Sequence, residues 1–188
     1  MKKKFVIIGA CVLIAVIIFG IVIGNYNGLV NKENDVFAAQ ANIQTLLQKR
    51  SDKIPNLVAT VKGYADYESE TYKAVTEARA AVSKAGTVTE LDQAEQDLNK
   101  ALTVWVNAVT EAYPDLKANQ TFMALMDEIS SIENEIQYGR KTYNEKAVDY
   151  NKAIRKIPGN IFALIFGFEK VELFSASAGA ENVPQVSF

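Results

Sequence analysis

The first pattern along the chain is a continuous hydrophobic run near the amino terminus. Residues 5–23 carry no charged side chain, and Lys2, Lys3 and Lys4 come directly before them. Such a run spans roughly 29 Å as a helix that rises about 1.5 Å per residue, which matches the hydrocarbon core of a bilayer. The pattern therefore predicts that residues 1–24 form a lysine cluster followed by a transmembrane anchor.

Two cleaved leader segments compete with this interpretation. A signal peptide has a shorter apolar region and a small-residue cleavage site, and residues 24–26 are a poor site of that kind. Ile8-Gly9-Ala10-Cys11 loosely resembles a lipobox, but the apolar run continues well past the cysteine. An uncleaved anchor is favoured. Lysines on its amino side then predict a cytoplasmic N-terminus and export of the rest of the chain.

Beyond the anchor, apolar residues recur at intervals of three, four and seven, which is the period of an amphipathic helix. The pattern predicts a first helix over residues 25–48 and a second helix that begins at Ser51 or Asp52. Pro55 then lies in the first turn of the second helix. A proline costs little there, because the first amides of a helix have no partner within it. Gly86 ends this second helix.

Two more helices follow along the chain. Thr87 and Glu90 have the spacing of a capping box at the start of the third helix, and Tyr113-Pro114-Asp115 stops it. The fourth helix is predicted to run from about residue 119 to residue 156. Pro158-Gly159 then terminates it.

Four amphipathic helices with short connections predict an all-α protein. The anchor is followed by an antiparallel up-and-down four-helix bundle over residues 25–167. Residues 168–188 are small, polar and interrupted, so they are predicted to form an extended or partly disordered tail. Phe168, Val171 and Phe174 are the tail residues that could dock back onto the bundle.

The composition excludes several kinds of chemistry. The chain has no histidine and a single cysteine, Cys11, which removes histidine-based catalysis, a multi-thiolate metal site and an intrachain disulfide. Of the 20 basic residues in the chain, three are the anchor lysines, which leaves 17 basic against 22 acidic residues beyond the anchor. Because this part of the chain has an acidic excess, nucleic acid is not expected as a partner. No cofactor, metal or enzymatic activity is predicted.

Short motifs are spread in order over nearly the whole chain. They are Tyr26-Asn27-x-Leu29-Val30, Asp52-x-Ile54-Pro55-Asn56-Leu57-Val58, Val61-Lys62-Gly63-Tyr64-Ala65, Ala78-Arg79, Tyr113-Pro114-Asp115-Leu116-Lys117-Ala118-Asn119, Ile132-Glu133-Asn134, Arg140-x-x-Tyr143-Asn144, Tyr150-Asn151, Pro158, Gly167-Phe168 and Pro184-Gln185-Val186-Ser187-Phe188. Each motif alone is weak, but together they resemble the LemA family. The resemblance implies an anchored helical domain in a bacterial membrane with no established enzymatic activity.

One position departs from the family pattern. The family often has a histidine before the glutamate at the place of Glu68, whereas this chain has Tyr67. A metal-binding or proton-transfer role for that pair is therefore not expected in this protein.

A candidate interaction surface follows from the predicted topology. The turn between helices one and two would share the membrane-distal tip with the turn between helices three and four. Loop residues on a helical scaffold are a common place for recognition. The predicted tip residues are Asp52, Lys53, Asn56, Asp115, Lys117 and Asn119. The alternative is that they only cap helices and form turns.

A second candidate set is polar and lies on the apolar stripes or at their edges: Glu68, Arg79, Glu133 and Arg140. Opposite charges that face a bundle core are expected to pair, because an isolated buried charge is costly. The expected role is to fix helix register. The sequence leaves open whether Glu68 pairs with Arg140.

The apolar run over residues 161–166 contains Phe162, Leu164 and Phe166 and is too short to span a membrane. It can close the open end of the bundle core, which we slightly favour, or lie in the membrane interface beside the anchor.

Gly20 and Gly24 form a GxxxG pair within the predicted anchor. Such a pair lets two transmembrane helices approach closely, so it offers a route to a homo-oligomer. The alternative is that glycine is simply common in membrane helices.

Together these patterns predict a non-enzymatic, single-pass protein of the bacterial inner membrane with an extracytoplasmic helical bundle. The predicted role is an interaction or scaffold module for an unidentified, membrane-associated protein partner. The alternative is a membrane-organising or lipid-contacting structural protein.

Overall fold

A computed structural model describes residues 2–63 and 70–175 of the chain. The regular elements among them are all helical, which confirms the predicted all-α class for this part of the chain. They are α1 (Lys2–Lys62), α2 (Glu70–Lys84), α3 (Val88–Ala112), a short 3₁₀ turn (Pro114–Ala118), α4 (Gln120–Ala153) and α5 (Gly159–Phe166).

Helix α1 is a single helix of 61 residues that joins the predicted anchor, the first helix and the start of the second. The predicted helix boundary at Ser51 or Asp52 is therefore wrong, and Pro55 lies inside α1. The reason is the phase of the buried stripe, which continues through this region without a shift. Its buried residues are Leu29, Val36, Ile43, Leu47, Arg50, Ile54, Leu57, Val58 and Val61. Burial of this stripe offsets the backbone cost of an interior proline, about 3 kcal/mol.

The chain divides into two units. The first falls within Met1–Gln40 and Tyr143–Val171, and the second within Ala41–Thr142 and Glu172–Phe188. Helices α1 and α4 contribute residues to both units.

The second unit has an apolar core built from α1, α2, α3, the 3₁₀ turn and α4. Its buried members are Ile54, Leu57, Val58, Val61, Val75, Leu98, Leu102, Trp105, Val109, Leu116 and Phe122. The up-and-down order of four separate helices stays a prediction, since the first two predicted helices are partly one element.

The start of α3 confirms the predicted capping box. The Thr87 hydroxyl accepts a hydrogen bond from the Glu90 amide at 3.1 Å, and the Glu90 carboxylate accepts from the amides of Gly86 and Thr87. These backbone hydrogen bonds lower the pKa of Glu90 because they favour the charged carboxylate. At the other end of α3, the chain turns at Tyr113-Pro114 as predicted, and Asn119 caps α4 by accepting from the Phe122 amide at 2.9 Å.

The first unit combines part of α1 with the end of α4 and with α5. Lys146 of α4 pairs with Asp35 of α1 at 3.0 Å, and the Tyr150 hydroxyl donates to Glu33 at 3.2 Å. Burial and the nearby charge of Glu33 raise the pKa of Tyr150 to about 12. Helix α4 ends at Ala153, three residues before the predicted end at Lys156.

The start of the tail follows α5 without regular structure. The Asn151 side chain forms two hydrogen bonds with the Val171 backbone, donating to its carbonyl at 2.9 Å and accepting from its amide at 3.0 Å. Phe174 is buried in the second unit. The Phe168 ring lies beside Tyr26 of α1, with 5.8 Å between the ring centroids, so all three predicted docking residues contact the helices of their own units.

Candidate functional site: a buried ion cluster

Five charged side chains in the second unit form an ion cluster that is largely removed from water. Arg50 lies on α1, Asp92 and Glu95 on α3, and Glu133 and Arg140 on α4. The Arg50 side chain is 1% exposed and that of Glu95 is 0% exposed. Charged groups at this depth are rare, because each loses its hydration and must recover that energy from partners.

Arg50 binds two acids and an amide. Its Nη1 atom lies 3.5 Å from Glu95 Oε1, forms an ion pair with Glu133, and donates to the Asn99 side-chain oxygen at 2.9 Å. The Asn99 amide in turn donates to Glu133 Oε1 at 3.3 Å. Arg50 therefore links α1 to both α3 and α4.

Arg140 makes the matching contacts from α4. It pairs with Asp92, and its Nε atom lies 3.6 Å from Glu95 Oε2. Glu95 consequently lies between the two guanidinium groups, with one carboxylate oxygen toward each. This arrangement brings three helices together through one buried carboxylate.

Tail residues 172–175 cover the Asp92 and Arg140 side of the ion cluster. The Phe174 ring centroid lies 4.9 Å from the Arg140 guanidinium carbon, within the range of a cation–π contact. Both the amide and the hydroxyl of Ser175 donate to Asp92, the amide at 3.1 Å. Near by, the Thr89 hydroxyl donates to Glu172 at 2.9 Å. The tail therefore supplies hydrogen bonds that the helices do not.

Burial shifts the proton affinity of the ion cluster. Desolvation raises the pKa of Glu95 to about 7, partly opposed by the positive charge of Arg50 and reinforced by the negative charge of Glu133. Desolvation also lowers the pKa of Arg140, and the charge of Arg50 adds to this effect. Glu95 is thus an acid whose protonation changes near neutral pH.

A surface cavity of about 330 Å³ reaches Glu133 of the ion cluster and the neighbouring Asn99. The rest of its wall is mostly made by apolar and small polar side chains of α1, α3 and α4, Leu57, Leu102, Thr103, Val106, Asn107, Met126, Ile129, Ser130 and Asn134. It offers water and protons an approach to the Glu133 side. The acids of the ion cluster are paired with Arg50 or Arg140 on other helices, so the arrangement is suited to holding helices together.

Two of the four predicted polar-core residues, Glu133 and Arg140, belong to the ion cluster. Arg79 lies next to it, where its Nε donates to the Ser51 hydroxyl at 2.8 Å. Glu68, whose pairing with Arg140 the sequence left open, lies outside the described residues. The acidic partners that Arg140 has among the described residues are Asp92 and Glu95.

Sequence reasoning missed Arg50, Asp92 and Glu95. A signal for Arg50 was present, because it lies seven residues after Ile43 and seven before Leu57 on the buried stripe. Glu95 also falls at helical spacing, four residues after Leu91 and three before Leu98. These spacings mark burial, but they do not identify the partners.

The predicted tip residues fall into two groups. Asp52, Lys53 and Asn56 lie on α1, so the turn expected between helices one and two does not exist at that place. Asp52 accepts a hydrogen bond from Gln48 at 2.7 Å, and Lys53 pairs with Glu128 of α4 at 2.7 Å.

The second group follows the prediction more closely. Asp115 and Lys117 are exposed in the 3₁₀ turn after α3, and Asn119 is the cap of α4 already described. The role of all six residues in recognition stays a prediction.

The apolar residues predicted in the run over residues 161–166 divide between two faces of α5. Phe162 is buried in the first unit, whereas the Leu164 side chain is 87% exposed and Phe166 is partly exposed. Helix α5 therefore contributes to a core through one face and leaves another face open. The described residues contain no group of three or more His, Cys, Asp or Glu side chains that could hold a metal ion.

The part of the chain that the structure describes is all-helical, and within it one helix, α1, is long and apolar enough, by length and composition, to cross a membrane. The chain belongs to the LemA family, because residues 39–188 match the sequence model of that family. The family predicted from the short motifs is thereby confirmed.

Named relatives agree with this assignment. Protein LemA of Metamycoplasma hominis is 28% identical over 179 residues, which cover 93% of this chain and 80% of the relative. Magnetosome protein MamQ of Magnetospirillum gryphiswaldense is 24% identical over an alignment of 189 residues, which covers 86% of this chain and 70% of the relative. Magnetosome protein MamQ 2 of Paramagnetospirillum magneticum is 25% identical over an alignment of 182 residues, which covers 84% of this chain and 67% of the relative.

Proposed function

We propose that this protein is a non-enzymatic membrane anchor and interaction scaffold for other proteins of the bacterial envelope. The observation that carries the proposal is the continuity of α1. The uncharged run of residues 5–23 and the core residues Ile54 to Val61 belong to one helix. The helical core is therefore attached to the membrane through its own principal helix.

The proposed orientation has the N-terminus in the cytoplasm and the remaining helices outside the inner membrane. Lysines precede the span, and positively charged flanks tend to stay on the cytoplasmic side. Attachment to a membrane raises the effective concentration of a scaffold for partners in the same membrane.

The proposed partner surface comprises two groups of residues: Asp52, Lys53 and Asn56 on α1, and Asp115, Lys117 and Asn119 at the turn into α4. Of these, Lys117 and Asn56 are the most useful probes because both are exposed and neither takes part in the ion cluster. The proposed partner is a protein, since the chain beyond the anchor has an acidic excess that disfavours nucleic acid.

The test is photo-crosslinking in living cells with a crosslinking amino acid at Lys117 or Asn56. Lys100 on α3, which is also exposed, is the matched control position. We expect one discrete crosslinked band from Lys117 or Asn56 and none from Lys100. Equal crosslinking at all three positions, or none at any position, would count against a specific partner on this surface.

A second candidate function, lipid contact that helps to organise the membrane, is supported by a separate observation. Helix α5 exposes large apolar side chains in the unit that also contains residues 5–23. The two functions are compatible, because they use different parts of the chain.

A further inference from the structure

Helix α5 exposes large apolar side chains that a helix surrounded by water would normally bury. Ile157, just before the helix, is 83% exposed, Leu164 is 87% exposed and Ile165 is 65% exposed, and Ile161 is also exposed. Residues 161, 164 and 165 share one face of α5, and Ile157 is exposed in the turn just before the helix. The opposite face, with Gly159, Phe162 and Ala163, is the buried one.

An aromatic contact places α5 beside the end of the uncharged run. The Phe166 ring centroid lies 4.8 Å from that of Tyr26, and the Phe168 centroid lies 5.8 Å from it. Tyr26 follows Gly24, the last residue of the predicted anchor, by two positions. Aromatic residues are enriched at this level, where a membrane helix leaves the hydrocarbon core.

Basic side chains lie directly before α5. Lys152, Arg155 and Lys156 are exposed and, with Asn151, line a surface depression of about 310 Å³. Clusters of lysine and arginine beside a membrane span attract the phosphate groups of anionic lipids. The apolar face and the cationic depression are thus neighbours in the chain and belong to the same unit.

We infer that α5 is an interfacial helix: Ile157, Ile161, Leu164 and Ile165 insert among lipid chains beside the anchor, and Lys152, Arg155 and Lys156 bind anionic lipid headgroups. Short helices with an apolar face and adjacent basic residues bind membranes in this way. The occupant of the exposed face is lipid. The inference rests on the proposed membrane anchoring but requires no protein partner.

The test places a fluorescent bimane label on the full chain in nanodiscs that contain a phosphatidylcholine brominated in its acyl chains. The label is attached to Leu164→Cys in a Cys11→Ser background, and Glu145→Cys, an exposed α4 residue of the same unit, is the matched control. A label on the native Cys11, in the wild-type chain, reports the anchor separately. We expect bromolipid to quench the labels at Cys11 and Leu164→Cys but not at Glu145→Cys.

Other outcomes overturn the inference in distinguishable ways. Quenching at Cys11 without quenching at Leu164→Cys would leave the anchor standing and reject interfacial α5. No quenching at either position would reject anchoring and the inference together. An unquenched label at Leu164→Cys, together with oxidative disulfide cross-linking of the unlabelled variant to a second copy, would show that another molecule of this chain covers the face instead.

A separate experiment tests whether the basic residues bind anionic lipid headgroups. One variant combines Lys152→Gln, Arg155→Gln and Lys156→Gln in the Leu164→Cys background. The control variant combines Lys100→Gln, Lys117→Gln and Lys141→Gln in the same background, so both variants lose the same amount of positive charge. We expect added phosphatidylglycerol to increase quenching of the Leu164→Cys label about two-fold in the parent protein and in the control variant. We expect no such increase in the variant without Lys152, Arg155 and Lys156. An equal response of all three proteins would reject binding of anionic headgroups at this depression.

Discussion

At the scale of single residues, Glu95 is the centre of the buried ion cluster because both arginines approach its carboxylate. Arg50 contacts it from α1 at 3.5 Å and Arg140 from α4 at 3.6 Å. Such clusters are not necessarily more stabilising than a fully apolar core. Their value is specificity, because a shifted helix would leave a buried charge without its partner.

Loss of one arginine tests how strongly the ion cluster holds the helices. Arg140→Met is expected to lower the free energy of unfolding by about 3–5 kcal/mol, because Asp92 and Glu95 lose a buried counter-charge. Lys141→Met, an exposed neighbour, is the control and should change it by less than about 0.5 kcal/mol. The measurement is denaturant unfolding of the detergent-solubilised chain, followed by fluorescence of its single tryptophan, the buried Trp105. Equal effects of both variants would contradict the assigned role.

The pKa of Glu95 predicts a pH dependence of stability. Its pKa is about 7 in the folded chain and has the ordinary value of 4.5 when exposed. The folded state therefore binds the proton more tightly, so this contribution to stability is complete below pH 4.5 and is lost as the pH rises through about 7. Arg50 faces Glu95 from α1, Asp92 lies on its own helix, and Glu133 and Arg140 face it from α4.

Glu95→Gln, which resembles the protonated acid, should remove that pH dependence. Relative to the wild type, its melting temperature should rise as the pH increases from about 5 to about 8. Asp97→Asn, an exposed acid on α3, is the matched control and should leave the wild-type profile unchanged. Parallel profiles for the wild type and Glu95→Gln would show that Glu95 keeps an ordinary pKa in the folded chain.

At the scale of elements, α1 is the feature that changed the predicted architecture. Ser51, Asp52 and Pro55 have the composition of a helix start, and that local pattern suggested a break. The seven-residue spacing of Ile43, Arg50 and Leu57 instead indicates one continuous helix, because a new helix would normally shift the phase of the buried stripe. Tertiary burial outweighed the local signal.

Replacement of Pro55 distinguishes the two architectures. Inside a helix, proline removes the hydrogen bond to the carbonyl four residues earlier, so Pro55→Ala should raise the free energy of unfolding by about 1–3 kcal/mol. In the first turn of a helix, the same change would be close to neutral. Asn56→Ala, the exposed neighbour in α1, is the control, and the same tryptophan-monitored unfolding experiment serves for both. A neutral Pro55→Ala would restore the break predicted from the sequence.

Other elements were predictable because their signals are local. The capping box of Thr87 and Glu90 and the stop at Tyr113-Pro114 need only neighbours in the chain, and both appear where expected. The ion cluster was not predictable as a set. Arg50 and Glu95 are 45 positions apart in the sequence, and their contact depends on how α1 and α3 pack.

At the scale of the whole molecule, this LemA-family chain combines three features. An apolar segment continues into the core helix α1, a buried ion cluster links three helices in the second unit, and α5 exposes an apolar face in the first. Membrane attachment gives a single explanation for the first and third features. The proposed scaffold role depends on that attachment and on the side of the membrane that the helices occupy.

Cysteine labelling in intact cells measures both properties directly. Lys4→Cys and Lys100→Cys, each in the Cys11→Ser background, would be exposed to a membrane-impermeant maleimide before and after permeabilisation. The account predicts labelling of Lys100→Cys in intact cells, labelling of Lys4→Cys only after permeabilisation, and retention of both proteins in carbonate-washed membranes. Equal labelling of the two positions in intact cells, or recovery of the chain in the soluble fraction, would contradict it.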